Sequence, residues 1–478
     1  MLMRHTLLLA VLCTTLGSIG YAQQSLSLED AAAILYSNNN AIKIAETGIE
    51  IAKTQKQQLN SAWYPFISAT GGYLHFSNKI SADANMGELA EDALQALAQT
   101  FPSLEALLQQ LLPQLQQALN SLGNITLSFP LLEQDITSID AIALWPLFTG
   151  GKRILAGKIG TSLHRQAQEL NTLTTNAQMV LMLNTYYTLK LAREVEQMNT
   201  ENLQFMEKLL HNAKRMTEEG FINKADYLVI QVARDEAARE LHSSTQSIRI
   251  ASSALSAVLG KEINGEELSG RWFVLDSIPD INAIYESILQ KNAQLKILEF
   301  QEGILENNEK IARSNYMPNI ALFAKQNLYS HNVPKNLMPR TIFGATMQWN
   351  LFDGLNREKE IQKSRLGQQQ ASYACNQAQQ ELLTAAISLR SKMEDATCNI
   401  NTLGNTLQLA RELLREREKS YAEGMCTSTD VVAARTAVTQ ASTALNLAHW
   451  EYSTSLANLL ALSSDTHKFI ELHNEYGK

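Results

Sequence analysis

Two stretches of alternating apolar and polar residues, each followed by a very long helical pattern, dominate this chain. Within 136–148 and 340–352, apolar residues take every second position from 139 to 147 and from 343 to 351, the period of a strand with one apolar face. The opposite face of the second stretch is small or polar at Gly344, Thr346, Gln348 and Asn350. The apolar faces comprise Ile139, Ala141, Ala143, Trp145 and Leu147 in the first stretch, and Phe343, Ala345, Met347, Trp349 and Leu351 in the second.

Proline-free segments follow both strands, from 153 to 217 and from 356 to 422. They are rich in Leu, Ala, Gln, Glu and Lys, which favour helix. A helix of about 65 residues is roughly 100 Å long at about 1.5 Å per residue. Shorter helices are predicted at 223–259 and 428–462. Their apolar stripes are narrow, so the helices are expected to pack side by side as a coiled-coil-like array.

The junction between strand and long helix occurs twice with the same sequence pattern. Residues 145–151 read Trp-Pro-Leu-Phe-Thr-Gly-Gly and residues 349–355 read Trp-Asn-Leu-Phe-Asp-Gly-Leu, an offset of 204 positions (349 minus 145). The same offset relates Arg153 to Arg357, and further downstream Gly220 to Gly424 and Asp226 to Asp430. A constant offset over this distance indicates an internal duplication.

A further helix and strand precede each junction. Residues 27–60 and 281–315 are predicted to be helical, and each helix stops at an aromatic-rich segment ending in Pro65 or Pro318. Strands are then expected over 66–77 and 319–330. The two prolines are 253 positions apart, so the first copy holds 49 extra residues (253 minus 204). This Leu-rich insert, at 78–135, is predicted to form short amphipathic helices, either a lid or adhesive cap, or a hairpin folded back on the protein.

These patterns divide the chain into five parts. Residues 1–22 have the polar start, short apolar run and small-x-small site of a signal peptide, and Leu12 before Cys13 disfavours lipidation. The first repeat is 23–260, the linker 261–280, the second repeat 281–462 and the C-terminal tail 463–478. No stretch of the mature chain is apolar enough for a transmembrane helix, which leaves a soluble periplasmic protein or a membrane β-barrel.

The strand pattern alone fits a half-buried sheet of a soluble domain as well as a lipid-facing barrel wall with an interfacial tryptophan. Four strands cannot close a membrane barrel, and an open sheet edge is very unfavourable in lipid. Three chains would supply twelve strands. We therefore predict a mainly α fold with β: a long α-helical coiled-coil barrel plus a transmembrane β-barrel assembled from a trimer, with four strands per protomer.

Composition excludes several functions. The formal net charge is −8 and there is no basic patch, which argues against nucleic acid. The three cysteines beyond the signal peptide are expected to be free thiols. The histidines show no metal-ligand spacing, and neither a phosphate-binding loop nor a hydrolase elbow is present. We expect no enzyme, no metal and no cofactor.

The signal peptide, the duplicated strand–strand–helix units and the small number of strands together resemble the TolC family of outer-membrane efflux proteins. The resemblance covers essentially the whole mature chain. Its local features are the Leu-Phe-x-Gly turns, which contain Phe148, Gly150, Phe352 and Gly354, and two helix-turn-helix tips. The tips read Glu-Gly-Phe-Ile-Asn-Lys-Ala-Asp-Tyr-Leu over 219–228 and Glu-Gly-Met-Cys-Thr-Ser-Thr-Asp-Val-Val over 423–432.

The resemblance implies a homotrimer in the outer membrane of a Gram-negative cell, with a long periplasmic extension. Its partners would be outer-membrane lipid, a periplasmic adaptor (membrane fusion) protein and an inner-membrane pump. Trp145 and Trp349 would lie at the membrane interface. Gly220, Gly424, Asp226 and Asp430 would form the periplasmic tip.

Asp430 has two interpretations: three copies ringing a gate for cations, or a carboxylate that complements the start of a helix, as Asp226 also does. The sequence departs from better-known members at Ala433, where some carry a second acid, and at Cys426, where some carry a basic gate residue.

The function implied is a passive exit duct of a tripartite efflux or type I secretion system. Drugs, metal ions, lipidic compounds and secreted proteins all remain open as substrates. The alternative is a coiled-coil structural or adhesive envelope protein, for which two matched barrel hairpins would have no purpose.

Overall fold

A computed structural model describes residues 25–77, 135–263, 267–333 and 339–477. The predicted signal peptide and nearly all of the insert at 78–135 lie outside these residues. The described chain is mainly helical with one small sheet. Its elements are α1 (Leu28–Asn38), α2 (Asn40–Asn60), β1 (Phe66–His75), β2 (Asp135–Thr149), α3 (Lys152–Glu218), α4 (Lys224–Leu259), α5 (Ile281–Lys291), α6 (Ala293–Ser314), β3 (Asn319–His331), β4 (Thr341–Gln348), α7 (Asn356–Ala422), α8 (Ser428–Leu462) and α9 (His467–Tyr476).

The chain divides into two compact units. The helix unit draws on Met1–Ile51, His164–Gln301 and Ala371–Lys478, and the strand unit draws on Ala52–Leu163 and Glu302–Gln370. Within the described residues, no helix is both long and apolar enough to cross a membrane.

The strand unit is built on one antiparallel sheet in the order β1-β2-β3-β4. Pairing places Ala143 opposite Ile67 on one side and Ala324 on the other, and Ala324 lies opposite Phe343. The face that contains these residues is apolar and largely exposed. The other face contains the ion pair of Lys325 with Asp140 (2.9 Å). The predicted alternation is therefore present as far as Trp145. A bulge between Pro146 and Phe148 then pairs Phe148, and not the predicted Leu147, with Ile320 of β3.

The helix unit has an aromatic core where both repeats meet the linker between them. Tyr186, Tyr187, Tyr452 and Phe469 are fully buried there. The Tyr186 hydroxyl donates to the backbone carbonyl of Leu26 (2.8 Å) and accepts from the amide of Gly270 (3.0 Å). These bonds fix the start of the first repeat and the linker against α3. A second apolar cluster joins α3, α4, α7 and α8 towards their turns.

Four predicted helices and strands differ from the structure by more than one residue. The helix expected over 27–60 breaks at Asn39, and the helix expected over 281–315 breaks at Asn292. The buried Asn39 accepts from the amide of Ala41 (2.8 Å) and donates to the carbonyl of Val258 (2.8 Å). Asn292 accepts from Leu295 (3.0 Å) and donates to Leu462 (2.8 Å). Each asparagine thus starts a new helix and binds the C-terminal end of another, α4 for Asn39 and α8 for Asn292.

The other two corrections concern strands. The strand expected over 66–77 ends at His75, and the strand expected over 340–352 ends at Gln348. Trp349 and Leu351 consequently lie beyond β4. The short form of β4 reflects its only described partner, because β3 pairs with it from Asn319 to Gln326 and no further.

Candidate functional site

The two tip turns, residues 219–226 and 423–430, reverse the chain between a long helix and its return helix. Gly220 has φ of 82° and Gly424 has φ of 73°, a left-handed conformation that other residues adopt at a cost. The amide after each glycine closes the helix end: Phe221 donates to Met216 and Met425 donates to Ser420, both at 2.8 Å. Both turns therefore end their helices in the same way.

The return helices begin at capped residues. Asn223 accepts from the amide of Asp226 (2.9 Å) through its side chain. Thr427 and Asp430 form a reciprocal capping box, in which the Asp430 carboxylate accepts from the Thr427 amide (3.0 Å) and hydroxyl (2.7 Å). The Thr427 hydroxyl holds the pKa of Asp430 below its usual range, with its backbone amide as the second cause. Asp430 is thus a structural carboxylate that stays ionised.

Asp226 lies beside the second tip turn. Its carboxylate and its backbone carbonyl both accept from the hydroxyl of Ser428, at 3.4 Å. Ser428 is almost fully buried. The starts of α4 and α8 are therefore held together by a polar contact that contains one predicted site residue.

Tyr421 is a tip residue that the sequence analysis missed. Its ring is buried, and its hydroxyl has no hydrogen-bond partner among the described residues. Burial raises the pKa of Tyr421, and the charge of Asp226 raises it further. The thiol of Cys426, which donates to the carbonyl of Arg417 (3.4 Å), also has a raised pKa, caused first by burial and then by Asp430. The duplication gave no signal for Tyr421, because Thr217 occupies the matching position.

Both strand–helix junctions contain the same two contacts, which together form a clamp: a tryptophan N–H bound to a backbone carbonyl, and an arginine stacked on an aromatic ring. The indole N–H of Trp145 donates to the carbonyl of Trp63, and that of Trp349 donates to Tyr316, both at 3.0 Å. The guanidinium carbon of Arg153 lies 4.2 Å from the centre of the Trp63 ring. Cation–π contacts of this kind stabilise by about 0.5–2 kcal/mol.

The glycine turns of the junctions differ in how tightly they are packed. Gly150 has φ of 63°, and a Cβ there would lie 2.8 Å from the carbonyl oxygen of Ser314. Gly354 has φ of 71°, and nothing lies within 4 Å of its Cβ position. Phe148 and Phe352, which precede these turns, are exposed. The first turn therefore requires glycine for its backbone and for its packing, and the second for its backbone alone.

The ten predicted site residues form two groups. Gly220, Asp226, Gly424 and Asp430 belong to the helix unit, and the six junction residues belong to the strand unit. Among the described residues, no cluster of His, Cys, Asp and Glu has the arrangement of a metal site. The predicted site residues comprise two half-buried carboxylates, exposed aromatic side chains and glycine turns.

Comparison with known proteins agrees with this architecture. The model of the outer membrane efflux protein family matches residues 284–464. No curated protein matches the chain. The chain is similar in structure to the outer membrane protein VceC from Vibrio cholerae (TM-score 0.70, 14% identity, covering 92% of this chain and 96% of that one).

Two further structures have the same fold. The outer membrane channel CmeC from Campylobacter jejuni matches with a TM-score of 0.70 and 14% identity, covering 96% of this chain and 94% of that one. The open state of the MtrE outer membrane channel from Neisseria gonorrhoeae matches with a TM-score of 0.69 and 14% identity, covering 92% and 89%. At this identity the structural matches establish the fold.

Proposed function

The chain belongs to the outer membrane efflux protein family, and from that premise we propose that it is the exit duct of a tripartite export system, passively conducting substrates that a partner pump delivers. The observation that carries the proposal is the family match over the second repeat together with a fold shared across more than nine-tenths of the chain. The resemblance stated from the sequence is confirmed, and so is the mainly α fold. The alternative, a coiled-coil adhesive protein, does not fit the family.

Three copies are proposed to form one channel. In the described sheet, β1 and β4 each pair with one strand only, so both edges present backbone groups that lipid cannot satisfy. Twelve strands from three chains would pair every edge. We place the exposed apolar sheet face against lipid and the face with Asp140 and Lys325 towards the channel.

Differences in burial between the repeats support a closed ring. Leu183 is 1% exposed, whereas Ile387, at the matching position of the second repeat, is 50% exposed. Leu209 is 8% exposed and its counterpart Leu413 is 47% exposed. An apolar side chain that is buried in one repeat and exposed in the other is expected where the same packing is completed by the next copy.

The tip turns are proposed to dock a periplasmic adaptor. Phe221 and Met425 occupy matching positions directly after the tip glycines, and both are strongly exposed. Exposed apolar residues at the end of a long helical pair are suited to contact another apolar helical end. The adaptor would connect this chain to an inner-membrane pump, and the helix unit would lie in the periplasm.

Asp430 is proposed to act as a gate residue in addition to its capping role. Its pKa is lowered, so it carries a negative charge at neutral pH. Three such charges around a threefold axis would favour cations. Asp226 is the weaker candidate because its carboxylate is engaged by Ser428.

Single-channel recording of the full chain in planar bilayers tests the conduit and the gating role of Asp430. D430N keeps an oxygen that accepts from the Thr427 amide but removes the charge, and D395N is the matched control on the exposed surface of α7. We expect cation-selective pores in the wild type and in D395N, with selectivity several-fold weaker in D430N. Pores unaffected by D430N would restrict Asp430 to its capping role. Protein that forms no pores and stays soluble without detergent would contradict the conduit.

A further inference from the structure

The two strand–helix junctions have opposite charge although both turn through two residues with a left-handed backbone. Residues 149–158 contain Lys152, Arg153 and Lys158 and no acidic residue, which gives +3. The matching residues 353–362 contain three acidic and two basic residues, which gives −1. The duplicated clamp is therefore set in a cationic segment in the first repeat and in a weakly anionic one in the second.

The second junction neutralises the charge of its arginine with a carboxylate of the same segment. Arg357 is 6% exposed and donates to the carbonyls of Asn350 (2.9 Å) and Leu351 (3.0 Å). Its Nε lies 3.2 Å from the Asp353 carboxylate. Glu358 adds a second carboxylate, which accepts from the hydroxyl of Tyr316 (2.6 Å). The positive charge of this junction is thus neutralised by the chain itself.

The first junction has the arginine but lacks both carboxylates. Thr149 stands where the second repeat has Asp353, and Ile154 stands where it has Glu358. Arg153 stacks on Trp63 and donates to the carbonyl of Leu147. Within the described part of the chain, no carboxylate contacts Arg153 or Lys152. Most of the guanidinium's five donors are therefore left for another acceptor.

The surroundings of Arg153 are apolar as well as cationic. Trp145, Phe148 and Ile154 are exposed side chains of the same junction. A small free anion would interact favourably only with the positive charges. An amphiphile with an anionic head group would in addition cover these apolar side chains. Arginine forms bidentate hydrogen bonds with phosphate, and tryptophan is favoured at the level of lipid headgroups.

We propose that Arg153 and Lys152 bind the phosphate group of a membrane phospholipid, with its acyl chains against Trp145 and Phe148. The second repeat has no such site because Asp353 occupies the anion position from within the chain. The inference rests on the proposed placement of the sheet in the outer membrane. Each copy of the chain would hold one lipid, beside the first junction only.

Native mass spectrometry of the detergent-purified full chain tests the site with phosphatidylglycerol as the probe. Diacylglycerol with the same acyl chains distinguishes the headgroup from the tail, and excess inorganic phosphate distinguishes a lipid site from a simple anion site. T149D introduces the carboxylate of the second repeat and leaves Arg153 in place. T149N is its uncharged control, and R153Q removes the cation directly.

We expect one retained phosphatidylglycerol per chain in the wild type and in T149N, little diacylglycerol, and weak competition by phosphate. T149D and R153Q should raise the apparent Kd about tenfold, since a hydrogen bond to a charged group is lost. Equal retention by wild type, T149D and R153Q would overturn the site, as would full displacement by inorganic phosphate. Flotation of the wild type with vesicles is recorded in parallel. If all variants float and retain phosphatidylglycerol equally, the lipid site is refuted but the membrane placement is not. Protein that does not float refutes the membrane placement on which the lipid site depends.

Discussion

The guanidinium carbon of Arg357 lies 4.4 Å from the centre of the Tyr316 ring, in the same arrangement that Arg153 forms with Trp63. Arg357 is buried and also contacts the Asp353 carboxylate, whereas Arg153 is partly exposed and contacts none among the described residues. We therefore expect R357M to destabilise the protein by about 3 kcal/mol, because it leaves the Asp353 carboxylate without its ion-pair partner and two backbone carbonyls without their donor. R153M should cost about 1 kcal/mol.

The comparison is made by guanidinium unfolding in detergent, followed by tryptophan fluorescence. Both variants replace arginine with a side chain of similar length and no charge, so each is the control for the other. Equal losses for R153M and R357M would show that Asp353 contributes nothing to the second junction.

Leu355 has a left-handed backbone with φ of 66°, and its counterpart Gly151 has φ of 86°. A residue with a Cβ pays about 1–2 kcal/mol in this conformation. Leu355 is exposed, so L355G should raise the free energy of unfolding by about 0.5–1 kcal/mol. G151A should lower it by about 1 kcal/mol, since nothing lies within 4 Å of the new Cβ and the cost is conformational. Shifts of the same sign in both variants would refute this account of the turn.

Asn292 is expected to hold the junction between α5 and α6. N292A removes the donor to Leu462 and the acceptor for Leu295 at a buried position. We expect a loss of about 2–3 kcal/mol. N39A should behave alike, because Asn39 binds Val258 and Ala41 in the same way. Thermal unfolding measured by circular dichroism tests the pair, and an unchanged midpoint in both variants would contradict the role.

Because the pKa of Glu309 is lowered in the folded chain, we expect the protein to lose stability in acid. Hydrogen bonds from Arg313 and then Arg365 lower this pKa to about 2 from 4.5. Because the folded-state pKa is the lower one, the stabilisation is complete above pH 4.5 and disappears as the pH falls towards 2. The unfolding midpoint of the wild type should therefore fall more between pH 6 and pH 3 than that of E309Q. Parallel curves for the two proteins would contradict the assignment.

The sequence predicted both long helices almost to the residue, because proline-free segments end at Gly220 and Gly424 with recognisable caps. It predicted the sheet because apolar and polar residues alternate along a strand whose two faces have different surroundings. It did not predict the breaks at Asn39 and Asn292, since an asparagine inside a helical pattern is unremarkable until Val258 and Leu462 supply acceptors from another helix.

The buried hydroxyl of Tyr421 and the difference between Arg153 and Arg357 were also beyond the sequence alone. The first depends on packing between helices that are distant along the chain. The second depends on whether the arginine is paired with a carboxylate in the folded chain. The identical residues at positions 153 and 357 do not reveal that difference.

The central claim is that three copies of this chain enclose one channel. Electron cryomicroscopy of the full chain in lipid nanodiscs measures this directly. We predict a threefold particle in which β4 of each copy pairs with β1 of the next, with Ile387 and Leu413 covered by the neighbouring copy. A single chain with both sheet edges open, or a ring of another number, would contradict the claim.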